Sequence, residues 1–368
     1  MSSTHAPAAN LTIALVGPLP PPGGGMANQC RQLAQLWQAD GITVRLVRTN
    51  EPYRPRWLEK VRFLRAPARV LPYWCVLWKT CGAVDLVHLF ANSGWSWHFY
   101  AAPAIVVARL RRVPVIVNYR GGGAAEFFAR APRWVAKTLA AADSLVVPSG
   151  FLHEVFTRFG FTPRVIPNII DVERFRPRQR QSPEAPHIVV TRNLEPIYDI
   201  RTALEALVIV HRTKPGARMT IAGRGPELAA LRQRCQALGL QSHVHFAGSI
   251  ESQAVAELIS SADVFLNTSL VDNMPISILE AFASGVPVAS TNVGGIPYIA
   301  ENERTALLFA PKDPAACAAA IIRLLTDTSL AHRLSAAGLE ESKRYSWSAI
   351  RQLWCDEYAR MTAGREPA

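Results

Sequence analysis

A chain of 368 residues that is 49% hydrophobic and 18% charged has the length of about two average domains and the apolar content for a large core, which excludes an extended disordered or low-complexity protein. The net charge of +12 points to anionic partners, and the six cysteines (Cys30, Cys75, Cys81, Cys235, Cys317, Cys355) stand apart. With no CxxC pair and no His/Cys grouping at metal spacing, a disulfide scaffold and a zinc site are excluded, and a reducing, cytosolic compartment fits.

The chain opens on a polar leader, MSSTHAPAAN, that lacks a basic region ahead of an apolar run and so does not read as a signal peptide. Nowhere does a window reach the roughly 18 uncharged apolar residues of a spanning helix. Short apolar strands are predicted at 11–16, 43–47, 85–89, 113–118, 144–147 and 164–166, with helices such as 28–38 and 134–141 between them. The same rhythm restarts at 187–191 and continues through 218–222, 243–246, 264–267 and 286–290. Strands alternating with crossover helices mean parallel sheets. The sequence therefore predicts an α/β protein of two doubly wound, Rossmann-like domains facing a central cleft, covering 1–170 and 171–345, with a Pro- and charge-rich linker around 175–186. The tail 346–362 is a tryptophan-bearing helix that can pack on either domain; the domain reading assigns it to the first.

Ligands of open α/β sheets bind outside the carboxyl ends of the strands, so the loops after strands carry the candidate residues. After the first strand, Gly23, Gly24 and Gly25 precede a helix, where backbone N–H groups and the helix dipole can meet a phosphate. This loop is neither GxGxxG nor a Walker A sequence, which weakens dinucleotide and NTPase readings, and by itself it equally reads as a turn. Arg120, in NYRGGG, is suited to grip a phosphate bidentately, or else to pair with Glu126 on the surface. His88 reads either as a hydrogen-bonded structural group or as a base. Arg192 follows the strand at 187–191 and is placed to neutralise a leaving diphosphate, and Gly223, in IAGRGPE, is a turn feeding a helix.

The most telling stretch is NTSLVDNMPISILEAFASGVPVAS, from Asn267 to Ser290. A loop containing Asp272, Asn273 and Met274 ends at Pro275, a helix begins there, Gly285 stops it, and the chain restarts as a strand. Glu280 with Ser277 and Ser284 can form the polar stripe of an amphipathic helix whose apolar stripe is Ile276, Leu279 and Ala283. The second acid, the proline-capped start and the apolar flanks Ile278 and Phe282 argue instead for a carboxylate that needs donors such as a pair of ribose hydroxyls.

The region between Arg45 and Lys79 carries nine Lys/Arg against Glu51 and Glu59, interleaved with Tyr53, Trp57, Phe63, Tyr73, Trp74 and Trp78. It reads as a surface for anionic lipid, or as a solvated basic face. No nucleic-acid-binding signature accompanies it, so nucleic acid is not an expected partner.

The segments VVPSGFLHEVFTRFG, VIPNIIDVERFRP, FAGSIESQAVAELISSADVFLNTSLVDNMPISILEAFASGVPVASTNVGGIP and LLFAPKDPAACAAAI resemble the retaining GT-B glycosyltransferases of family 4. The resemblance covers nearly the whole chain. It implies the GT-B fold, a nucleotide-sugar donor held mainly by the C-terminal domain, an acceptor on the N-terminal one, retention of anomeric configuration and no essential metal or cofactor. It also implies that the acid pair spaced by seven residues clamps the donor, Asp272 on sugar hydroxyls and Glu280 on the ribose, with Arg192 on the diphosphate. Four features depart from the family. Asp272 stands where a glutamate is usual. The lysine expected after Arg192 is absent, with Ile197 and Tyr198 in its neighbourhood and Arg201 as the substitute. Arg120 replaces a histidine, and Tyr298 replaces a glutamate after the GG-x-P turn.

The function expected from these features is transfer of a sugar from a nucleotide-sugar to a glycan or lipid-diphosphate-linked glycan in exopolysaccharide or cell-surface polysaccharide synthesis, in the cytoplasm and peripherally on the inner face of its membrane. The rival is a non-catalytic sugar-nucleotide-binding or scaffold protein. An NAD-dependent oxidoreductase shares the fold class but lacks the GxGxxG loop followed by a ribose-binding acid.

Overall fold

The computed structural model describes residues 11–21, 23–53, 57, 61, 65–177 and 185–363. Parts of the basic stretch, including Arg54, Arg56, Lys60 and Arg62, and the middle of the expected linker lie outside the described residues. The chain divides into two compact units, one running to Ile169 and resuming at Trp347, the other spanning Ile170–Ser346.

In the first unit six strands, β1 (Thr12–Gly17), β2 (Thr43–Arg48), β3 (Leu86–Ala91), β4 (Val115–Tyr119), β5 (Ser144–Val147) and β6 (Arg164–Val165), form a parallel sheet in the order β2-β1-β3-β4-β5-β6. β3 and β4 are buried along their whole length, as strands covered on both faces must be. The crossovers are α1 (Gly25–Ala39), α2 (Arg65–Thr80), α3 (Ala102–Leu110), α4 (Ala124–Arg130), α5 (Arg133–Ala140) and α6 (Gly150–Arg158). A π-helical turn, Trp97–Ala101, leads into α3.

The second unit repeats the plan. Its strands β7 (His187–Thr191), β8 (Arg218–Ala222), β9 (Val244–Gly248), β10 (Val264–Asn267), β11 (Val288–Thr291) and β12 (Leu307–Phe309) lie parallel in the order β12-β11-β10-β7-β8-β9. The helices are α7 (Ile200–Val210), α8 (Leu228–Ala237), α9 (Ser252–Ser260), α10 (Ile276–Ala283), α11 (Pro314–Thr326) and α12 (Thr328–Ser342). The last helix, α13 (Trp347–Thr362), belongs to the first unit, where Ile350, Trp354 and Tyr358 join the core beneath β1 and β3. Among the described residues no single helix is long and apolar enough to cross a membrane.

His88 is settled as structural. It is fully buried on β3, with Nδ1 2.7 Å from the Tyr358 hydroxyl and Nε2 3.0 Å from Asn118 Nδ2, and burial followed by the nearby Arg120 charge drives its pKa down to about 3. A ring that stays neutral inside a helix-to-sheet contact fixes α13; it has no proton to exchange at neutral pH.

Candidate active site

In each unit the strand order reverses beside its first strand, and that switch point is where open α/β sheets bind ligands. In the second unit the reversal separates β7 from β10. Arg192 follows the carboxyl end of β7, and the loop bearing Asp272 follows β10. Residues 75 to 80 positions apart thus meet because two adjacent parallel strands end side by side.

Arg192 is held from three directions. Its Nε donates to Asn267 Oδ1 at 3.0 Å, its guanidinium pairs with the Asp272 carboxylate, and its Cζ lies 5.0 Å from the centre of the Tyr198 ring. Arginine and aspartate are both largely buried, with side chains 13% and 14% exposed. Asn267 is itself fixed. Its Oδ1 also accepts from Ser269 Oγ at 2.9 Å, while its Nδ2 donates to Ser290 Oγ at 2.9 Å across to β11. Thr291 Oγ1 closes the network by donating to Ser269 O at 2.7 Å. Such fully used side chains hold one geometry in a low-dielectric setting. Tyr198 comes from a short 3-10 turn strapped to the β10 loop, with Thr268 Oγ1 donating to Tyr198 O at 2.8 Å and Leu270 N to Ile197 O at 2.7 Å. Asn267, Ser269, Ser290 and Tyr198 were not singled out from sequence as site residues. Their signal is the run of polar residues at the carboxyl ends of otherwise apolar β10 and β11.

Close backbone contacts set the position of the aspartate. A Cβ on Gly295 would lie 1.6 Å from Asn273 O, and one on Gly294 2.2 Å from Asp272 O. Only glycines let this turn press on the Asp272 loop, where Gly295 N donates to Asp272 O at 2.9 Å. Gly223 does the same for Arg192, since its Cβ would come within 1.9 Å of Arg192 O.

Helix α10 starts directly after Pro275, with Asn273, Met274 and Pro275 buried beneath its first turn. Its amphipathic reading is overturned. Ser277 and Ser284 are buried at 6% and 2%, like Ile278, Leu279, Ala281, Phe282 and Ala283, so the helix is a core helix with no solvated stripe. Only Glu280 and the first residue, Ile276, keep partial exposure. Burial pushes its carboxyl up to about 7, against the pull of Arg192 and, more weakly, Arg174. Among the described residues its carboxylate makes no hydrogen bond or ion pair.

The remaining predicted residues lie in the first unit. Arg120 follows β4, is half-buried, and donates to Asn168 Oδ1 with its guanidinium over the Phe90 ring at 5.2 Å; the Glu126 pairing is not formed. Burial lowers its pKa to about 10, with Cys30 opposing, so it stays cationic. Gly24 caps α1 in an extended conformation, and a Cβ on Gly23, Gly24 or Gly25 would meet nothing within 4 Å. Arg201 is exposed on α7 and Tyr298 is exposed after the glycine turn. Among the described residues no group of His, Cys, Asp and Glu stands ready to hold a metal ion.

Two six-stranded parallel sheets flanked by helices are the GT-B arrangement, and Anabaena HepE in complex with UDP-glucose superimposes with a TM-score of 0.74, covering 95% of this chain and 100% of that one at 16% identity. The model for Glycosyltransferase Family 4 matches residues 23–174 and that for Glycosyl transferases group 1 matches 171–341. The chain belongs to the family 4 GT-B glycosyltransferases. The sulfoquinovosyl transferase SQD2 of Arabidopsis thaliana is 26% identical over 67% of this chain and 52% of its own length. A GDP-mannose-dependent alpha-(1-6)-phosphatidylinositol monomannoside mannosyltransferase of Mycobacterium tuberculosis is 30% identical over 50% of this chain and 52% of its own. The chain thus spans about half the length of these curated relatives.

Proposed function

We propose that this protein is a retaining glycosyltransferase that moves a sugar from a nucleotide-sugar to a glycan or lipid-diphosphate-linked glycan, in exopolysaccharide or cell-surface polysaccharide synthesis at the cytoplasmic face of an anionic membrane. The observation that carries this reading is the grouping of Arg192, Asp272 and an unpartnered Glu280 around the start of one buried helix. The family, a relative whose name specifies GDP-mannose, and a fold neighbour solved with UDP-glucose support it.

Glu280 accepts the ribose hydroxyls, which supply the donors that a desolvated carboxylate lacks. Asp272 faces the transferred sugar, and Arg192 takes the diphosphate. As the bond from the anomeric carbon to the diphosphate oxygen breaks, positive charge grows on the sugar ring and negative charge on the leaving phosphate. Arg192, already held by Asn267 and Tyr198, stabilises that charge without reorganising. The new bond forms from the acceptor oxygen to the anomeric carbon on the same face, and the acceptor proton passes to a leaving phosphate oxygen. This gives retention without a protein nucleophile, so the two-carboxylate scheme of glycosidases does not apply. On the first unit, Gly23, Gly24, Gly25 and Arg120 offer amides and a cation to an anionic ligand at that unit's own sheet edge.

A thermal-shift screen against UDP-, GDP-, ADP- and dTDP-sugars tests the donor half, because a ligand that binds only the native state raises its midpoint by mass action. One class should stabilise the protein and none of the others comparably. Asp272→Glu, which restores the usual side-chain length, should change donor preference or rate; an indifferent enzyme would remove Asp272 from the sugar.

A further inference from the structure

Helix α2 is built the wrong way round for an element facing water. Its inward stripe is Val70, Tyr73 and Leu77, which pack into the core of the first unit at helical spacing. The opposite face ought to be polar, yet it presents Leu71 (56% exposed), Trp74 (41%), Val76 (48%) and Trp78 (45%), with Pro72 and Cys75 between them. Beside it, α3 exposes Val106 and Leu110. A run of exposed large apolar side chains on two adjacent helices exceeds the scattered singles normal on a protein surface.

The strip continues toward the ligand-binding edge of the same unit. Trp74 Nε1 donates to Phe99 O at 3.4 Å, and the Phe99 ring stacks on Trp95 at 5.5 Å with the planes 16° apart. Trp95 is 75% exposed and follows the carboxyl end of β3, the strand at the switch point of its sheet. The charges around the strip have one sign. Between Glu59 and Glu126 the sequence holds a single acid, Asp85, and its Oδ2 is committed to the Thr12 amide at 2.8 Å. Arg69, Lys79, Arg109, Arg111 and Arg112 lie in the same stretch, with Arg111 over the Trp78 ring at 5.1 Å. From elsewhere in the unit Asp143 faces this group, 3.4 Å from Arg109, and its other oxygen accepts the Val115 amide.

We infer that the exposed face of α2, with α3 and the Trp74, Phe99 and Trp95 strip, seats this protein on an anionic bilayer, tryptophans at the headgroup boundary and cations over lipid phosphates. Tryptophan and arginine suit that boundary, where one end of the side chain is apolar and the other wet. A second copy of the chain is a poorer occupant. A two-fold interface through this face would set one cationic patch against the same cationic patch, with no acid in the strip to answer it. Seating α2 on lipid brings the exposed Trp95, and with it the binding edge of this sheet, to the membrane surface. The acceptor is then lipid-borne, a consequence that rests on the proposed transferase function, whereas the membrane contact does not.

The test is co-sedimentation of the full chain with vesicles of phosphatidylglycerol and phosphatidylcholine, and with phosphatidylcholine alone. Wild type should bind the anionic vesicles and lose binding as salt is raised. The double variant Trp74→Ser/Trp78→Ser, both positions being surface sites, should weaken binding roughly tenfold or more, and Lys79→Glu/Arg111→Glu should restrict it to background. Circular dichroism and the thermal midpoint confirm that each variant is folded. Absence of wild-type binding, equal binding by the tryptophan variant, or a lipid-free wild-type dimer that the tryptophan variant makes monomeric would each overturn the inference. Nucleotide-sugar thermal shifts on the same samples keep the two readings apart. Donor stabilisation should survive in both variants; its absence from wild type would remove the donor reading and leave the vesicle result standing.

Discussion

The two units each place a glycine-rich turn at the binding edge of a parallel sheet, and the two turns are glycine-rich for different physical reasons. At Gly294 and Gly295 the backbone presses so closely on Asp272 and Asn273 that no side chain fits. At Gly23, Gly24 and Gly25 a Cβ would have 4 Å of clear space. The first turn is therefore part of the packing of the chain and builds a site that is rigid before any ligand arrives. The second meets no such demand among the described residues, so its glycines leave backbone N–H groups open toward whatever approaches the start of α1. Glycine content alone does not separate these cases; the distance to the neighbouring backbone does.

The largest effect expected from this contrast is at Gly295. Gly295→Ala puts a methyl carbon against a carbonyl oxygen that cannot step aside, and the loss of stability should exceed about 3 kcal/mol, measured by denaturant unfolding. A variant as stable as wild type would mean that the turn is free to move and that Asp272 is not held by it. Next comes Arg192→Ala. It leaves Asp272 largely buried without its cation, costing about 1–3 kcal/mol of stability, and removes the charge facing the leaving diphosphate, so turnover should fall by roughly 10² to 10³. A folded Arg192→Ala enzyme with unchanged turnover in a donor-hydrolysis or transfer assay would remove Arg192 from the chemistry.

Glu280 sharpens the same picture through pH. Its carboxyl is raised from 4.5 to about 7 by burial, so the folded state favours the protonated form. The stability this group supports is complete below the unfolded pKa and is lost as pH rises toward the folded value. Glu280→Gln should flatten that slope, matching wild type in acid and exceeding it above about pH 7 by on the order of 2 kcal/mol, after discounting for residual exposure. Donor affinity should run the other way. Hydroxyls donating to the charged carboxylate favour its ionised form, so wild-type affinity should rise through about pH 7 while the glutamine variant stays flat and weaker. Calorimetric titration at several pH values reads both.

Much of this was legible before the structure. The strands at 187–191, 218–222, 264–267 and 144–147 match β7, β8, β10 and β5, because short apolar runs bounded by turn residues are local signals. The start of α10 at Pro275 and its end at Gly285 were readable from capping chemistry, and Gly285 indeed adopts a φ of 61°. β12 was missed, since three residues give too short a period to see. The polar stripe on α10 stood as the rival reading because a serine can be buried without announcing it; only packing against neighbouring elements tells a core helix from an amphipathic one. The Arg192 and Asp272 pair was legible as two candidates but not as a contact. Their meeting depends on β7 and β10 lying side by side, which is long-range pairing that no local pattern encodes.

The smallest effect on the fold is expected at Gly24, and it tests the other half of the comparison. Gly24 has φ 176°, an extended conformation open to any residue, and its carbonyl accepts Asn28 N at 2.9 Å, a bond that a side chain leaves intact. Gly24→Ala should therefore change stability by less than about 0.5 kcal/mol, the range of ordinary surface substitutions. If the exposed amides of this turn meet phosphate or acceptor, the same methyl group obstructs the close approach, and KM should rise while the thermal midpoint stays fixed. A midpoint loss comparable to that of Gly295→Ala would show that both turns are packed alike. A variant unchanged in both stability and kinetics would mean that the turn serves only to reverse the chain into α1, leaving Arg192, Asp272 and Glu280 to hold the donor without it.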